Sequence, residues 1–269
     1  MATGQSSQTG SPRPPGDPVR TRSRWVLPHP SLVWAIAAAW AVAVAAEASG
    51  RGRALHHDAL AEGGLPPWAA LGLFLLAWQL MIAAMMLPSS LPLVRLFRRA
   101  SANQPRPLRA QAAFLGGYAV VWTSFGAAAF LADLGVHRLV ERSAWLATRP
   151  ALVGGAVLLL AGAFQFSKLK DRCLAVCRHP AGYLLQHYRR GTGAAFRLGA
   201  GHGVFCVGCC WALMLVAFAA GVANLWWMAA LTAVTVFEKT GRAGRRGVRP
   251  IGLGLIALGL LMLANPAAG

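Results

Sequence analysis

The chain has 269 residues, 56% of them hydrophobic and only 13% charged, with a mean hydropathy of +0.50. A soluble domain carries about a quarter charged residues, so that class is excluded, and several apolar stretches approach the roughly 20 residues that cross a bilayer. The composition predicts an all-α, polytopic transmembrane helix bundle, and basic cytoplasmic loops explain the net charge of +18 more simply than a nucleic-acid partner does.

The opening stretch, MATGQSSQTGSPRPPGDPVRTRSR, is rich in Gly, Ser and Pro and lacks the apolar core of a signal peptide. It reads as a disordered basic cytoplasmic tail, with the tail assigned to 1–30. A single transmembrane domain is expected over 31–267, with spans near 31–48, 66–94, 112–134, 150–167, 200–222, 224–240 and 250–267. Seven spans are thus predicted, and a six-span version with a re-entrant short sixth competes. Most of the 26 basic residues fall in the tail and in the loops after spans two, four and six. The positive-inside rule then places the N-terminus in the cytoplasm and the C-terminus outside, in an inner (cytoplasmic) membrane.

Between spans one and two, His56, His57 and Asp58 could capture metal weakly, but a solvated loop is the simpler reading. Span two contains WQLMIAAMMLPSSLPLVR. Counting back from Arg95 puts Met85, Met86 and Met81 roughly 14 to 21 Å deep, with kinks expected at Pro88 and Pro92. Asp133, at the outer end of span three, reads as an ordinary interfacial charge.

The cytoplasmic loop at 168–199 carries LKDRCLAVCRHP. Leu169, Cys173 and Cys177 are spaced at fours and share a helix face, Pro180 limits the helix, and His179 lies nearby. Lys170, Arg172 and Arg178 would favour thiolate at the two cysteines.

Span five carries GVFCVGCCWALM. Cys206 and Cys210 share a face that Met214 continues, with Cys209 beside it. The thiols lie roughly 13 to 20 Å from the cytoplasmic end, in the same slab of membrane as the span-two methionines. Any one of these side chains alone is best read as packing. Five cysteines in two tight clusters with methionines at matching depth point instead to soft-metal or redox chemistry, and thiolate with thioether selects Cu(I). All five cysteines lie on the cytoplasmic side, where structural disulfides are not expected.

Span six reads NLWWMAALTAVTVFEKTGR. It is too short to cross about 30 Å without including Glu238 and Lys239. Lys239 is expected to snorkel to the headgroups, whereas Glu238 needs a partner or water.

The order and spacing of WQLMIAAMMLPSSLPL, LKDRCLAVCRHP, GHGVFCVGCCWALM and the late EK pair resemble a bacterial family of predicted metal-binding integral membrane proteins, a domain of unknown function whose relatives are regarded as copper chaperones for copper oxidases. The resemblance covers about 66 to 262. It implies copper, a chaperone role, and site residues Met81, Met85, Met86, Cys173, Cys177, Cys206, Cys209, Cys210, Met214 and Glu238.

With His179 added, these residues form the expected metal-binding set. Copper as Cu(I) is the expected metal and zinc the alternative. The expected partners are the lipid bilayer, the metal ion and a copper-dependent enzyme that receives it, and nucleic acid is not among them. No GxxxxGK[ST] loop, serine-hydrolase signature or paired-carboxylate signature occurs, so the chain is read as a chaperone or transporter and not as an enzyme. A membrane thiol oxidoreductase cycling Cys209 and Cys210, and a purely structural subunit, are the alternatives. In the expected relay, Cys173 and Cys177 receive the metal first and Cys206 follows.

Overall fold

The computed structural model describes residues 30–50, 66–220 and 224–264. The tail and the His56–His57–Asp58 stretch lie outside the described residues. The described residues form helices α1 (Pro30–Ala48), α2 (Pro67–Ser101), α3 (Pro107–Glu141), α4 (Ala144–Ala147), α5 (Pro150–Phe164), α6 (Lys168–Arg178), α7 (Pro180–His187), α8 (Thr192–Ala219), α9 (Leu225–Thr240) and α10 (Gly244–Ala264), with no strand among them.

Local sequence explains the boundaries. Prolines open α2, α3, α5 and α7, where the missing N–H costs nothing and the fixed φ suits a helix. Ser167 accepts from Lys170 N at 3.1 Å and Asn224 from Trp227 N at 3.2 Å, capping α6 and α9. Gly191, with φ at +104°, supplies the left-handed turn into α8. Pro88 and Pro92 fall inside α2 without ending it. Pro88 cannot donate to Ala84 O, the carbonyl four residues back; the Trp40 indole donates to that oxygen at 3.1 Å instead. One unmet backbone acceptor thus ties α1 to α2.

Among the described residues, five helices are long and apolar enough to cross a membrane: Pro30–Ala48, Trp68–Ser101, Pro107–Glu141, Thr192–Ala219 and Gly244–Ala264. A sixth is reached if α5 and α6, bent by 66° at their junction, count as one broken span. The expected count of about seven thus becomes five or six, the upper figure equal to the six-span version. Helix α5 has 15 residues and α9 has 16, giving about 22 and 24 Å against a core of about 30 Å. Helices α2 and α3, at 35 residues each, run about 52 Å and overshoot the predicted spans. The expected loop at 168–199 is almost wholly helical, since α6, α7 and the first turns of α8 occupy it.

Small residues bring the bundle together, as they do in lipid where apolar burial no longer drives helix association. Gly199 of α8 lies against the backbone carbonyl of Phe114 on α3, and Gly117 of α3 against that of Phe196 on α8. This seam holds α8 centrally. Helix α6 packs across α8 and reaches α9, and α2 lies against α9. Four elements, α2, α6, α8 and α9, therefore converge on the cysteine-bearing part of α8.

Candidate metal centre

Cys206, Cys209 and Cys210 are all buried. The Cys209 and Cys210 thiols donate back to Cys206 O at 3.1 and 2.9 Å, which aims both sulfurs along the helix toward its N-terminal end. Met86 of α2 meets this face, its Sδ standing 3.8 Å from Cys210 Sγ. The matched depths of the two sequence clusters are thus joined by a direct side-chain contact between α2 and α8. On the other side Cys177 of α6 places its Sγ 3.9 Å from Cys209 Sγ, and Cys173 packs against Gly208. The loop cysteine nearest the buried set therefore faces Cys209, not Cys206.

The stripe that α6 turns inward is Lys170, Cys173, Leu174 and Cys177, while Leu169 is 55% exposed. The sequence expected Leu169 on this face. Lys170 takes the position because its ammonium has a partner there: Glu238 Oε2 accepts from it at 2.7 Å and Cys209 O at 3.1 Å. Arg178 is committed too. It donates to Glu238 O, and its Nη2 donates to Gly241 O at 3.0 Å, closing the carbonyl end of α9. Neither residue is free to serve as the loop's thiolate partner. His179 is exposed and its Nδ1 is engaged with Ala175 O at 2.8 Å, so it stands apart from the buried sulfurs.

Lys239 takes the place that the sequence left open. It does not snorkel: it is 5% exposed. Its Nζ lies 3.0 Å from Cys206 Sγ and 3.9 Å from both Cys210 Sγ and Met86 Sδ, and it donates to Ser89 Oγ at 3.3 Å. A second polar line reaches Cys206 through Tyr118 Oη at 3.2 Å, then Ser90 Oγ at 3.3 Å, then His202 Nε2 at 3.3 Å. Sequence reasoning gave Lys239 and Lys170 other roles and did not single out Tyr118, Ser90 or His202. For Lys239 one signal was available, because a lysine beside an acid inside an apolar window is costly unless it faces protein. Burial and then Cys177 push the Tyr183 hydroxyl up to about 12, so it stays protonated and donates to Leu198 O at 3.0 Å.

Glu238 is 2% exposed, and its second oxygen, Oε1, has no hydrogen-bond partner among the described residues. Met85 and Met214 are buried in the same core, and Met81 lines an apolar cavity of about 260 Å³ with Ala39, Leu80 and Met228.

Metal–thiolate bonds of about 2.3 Å allow two sulfurs on one ion to stand up to about 4.6 Å apart. The pairs at 3.8 and 3.9 Å fit that span. Structural zinc takes four ligands, whereas among the described residues no three His, Cys, Asp or Glu side chains are grouped to hold an ion. Two thiols with a thioether are a donor set for Cu(I) rather than for zinc.

The family model described as PpoB2, copper chaperone, matches residues 75–262. The chain belongs to the PpoB2 copper chaperone family. The match opens in α2 and closes in α10, so it takes in every sulfur named above and leaves out α1. Neither a search of curated proteins nor one of solved structures returns a match. The family assignment agrees with the resemblance carried by the four sequence motifs and associates the chain with copper.

Proposed function

We propose that the chain is a membrane carrier of Cu(I), taking the ion from the cytoplasmic side and passing it to a copper-dependent enzyme, without being an enzyme itself. The observation that carries this reading is the convergence of Cys206, Cys210 and Met86 from two helices, with the Cys177–Cys209 pair beside them. The ion is cargo, exchanged from one sulfur set to the next. Cys177 with Cys209 is the receiving pair, and Cys206, Cys210 and Met86 form the deeper station. Met85, Met81 and Met214 continue the run of sulfur into the core, and Glu238 fixes Lys170 beside it.

Detergent-purified protein should bind Cu(I), or Ag(I) as surrogate, far better than Mn(II) or Mg(II). Replacing Cys206, Cys209 and Cys210 together by Ser should remove most of that capacity, and full occupancy in the triple variant would defeat the assignment. For orientation, a background without native cysteines is needed. Gly193→Cys should then resist an impermeant thiol reagent in intact cells while Leu60→Cys labels, as an inner-membrane protein with a cytoplasmic N-terminus requires.

A further inference from the structure

Two ammonium groups are buried against α8, and they are balanced differently. Lys170 has a carboxylate at 2.7 Å. Among the described residues no carboxylate lies within ion-pair distance of Lys239, whose neighbours are Cys206 Sγ, Cys210 Sγ, Met86 Sδ and Ser89 Oγ. A buried charge without a partner is strongly disfavoured, the more so within a bilayer. The partner of Lys239 is therefore the sulfur set itself.

We propose that Lys239 is the built-in counter-charge of the metal station and makes it selective for a monovalent soft cation over a divalent one. This rests on Cys206, Cys210 and Met86 being that station. Two thiolates carry two negative charges, the ammonium carries one positive charge and the thioether carries none. A monovalent ion brings the loaded set to zero, with the proton of each thiol that becomes a ligand released to water. A divalent ion leaves one positive charge in a region of low dielectric, where the discrimination against it is strongest. Thiolate sulfur has lone pairs enough to bind an ion and accept an N–H at once, so Lys239, with Tyr118 on the same sulfur, acts as an outer partner of the ligand. Without the ammonium the bookkeeping inverts: the monovalent complex becomes an anion and the divalent one neutral.

The test uses the full-length chain in detergent, with Cys173 and Cys177 replaced by Ser so that only the deep sulfurs report. Ag(I) and Cd(II) are the probes, each titrated against a competing chelator. In Lys239→Gln, Ag(I) should bind about tenfold more weakly and Cd(II) about tenfold more tightly, a change in their ratio on the order of a hundredfold. Lys239→Arg, which keeps the charge, should hold the ratio near that of the unchanged lysine. Movement of both affinities in the same direction would overturn the proposal: a joint fall marks a purely structural lysine, and a joint rise marks an ammonium that merely competes with the ion. Loss of Ag(I) binding even with Lys239 present would overturn the sulfur station together with it. Binding with an unchanged ratio in Lys239→Gln would overturn the counter-charge alone.

Discussion

Helices α2, α3 and α8 each run through two different interiors. Around Cys206–Cys210 they enclose thiols, a thioether, two lysines and a glutamate, fixed by contacts such as Lys170–Glu238 and Lys239–Cys206. Further along the same helices, Phe74, Trp78, Phe130 and Phe218 meet with ring centroids 4.9 to 6.5 Å apart. Trp78 lies against Gly126, and its indole donates to Trp122 O at 2.9 Å. The first interior gains its order from charge matching between elements far apart in sequence, the second from shape. The buried thiols thus have thioethers and rings in the same core, with charged groups beside them.

If this division is real, damage to each half should have its own signature. The largest loss should come from Glu238→Ala, which leaves the Lys170 ammonium buried without its carboxylate. A destabilisation of about 4 kcal/mol is expected, read from thermal or denaturant unfolding in detergent. Replacing Lys170 by Met and Glu238 by Leu together should recover most of it. Trp78→Ala should cost about 3 kcal/mol by opening a cavity among the rings, yet leave Cu(I) stoichiometry intact; a parallel loss of copper would mean that the halves are not separable.

Smaller effects divide the polar half itself. Cys177→Ser should slow metal loading by about tenfold, or about 1.4 kcal/mol in barrier, with final capacity largely kept. The Cys206→Ser and Cys210→Ser pair should abolish capacity at the deep station. Stopped-flow transfer from a chromogenic Cu(I) chelator separates these two patterns. The least effect belongs to His179→Ala, which should stay within about 0.5 kcal/mol and bind metal as before, because the ring faces outward.

The helical class and the grouping of sulfur were legible because both are periodic or local. Apolar runs announce spans, and Cys206, Cys210 and Met214 share a face by arithmetic alone. Depth counting placed Met86 in the same slab of membrane as the span-five cysteines, and its side chain does meet Cys210. The destination of the lysines was not legible. Lys239 had two outcomes open to it, headgroup or core, and only the arrival of α2 and α8 on the same side of α9 decides between them. The inward face of α6 was misjudged at Leu169 for the same reason: an aliphatic residue yielded to Lys170 because Glu238 waited across the groove. The span count falls from about seven to five or six because the helices of 15 and 16 residues are short and one of them meets α6 at a 66° bend.

Arg178 gives the site a mechanical property. Its guanidinium clasps Glu238 O and Gly241 O at the end of α9 while its backbone ends α6. The two helices are hasped together at that point, so a tilt of α6 is carried into the last turn of α9. Cys177, one residue before Arg178 on α6, and Lys239, one residue after Glu238 on α9, therefore ride on the same arm.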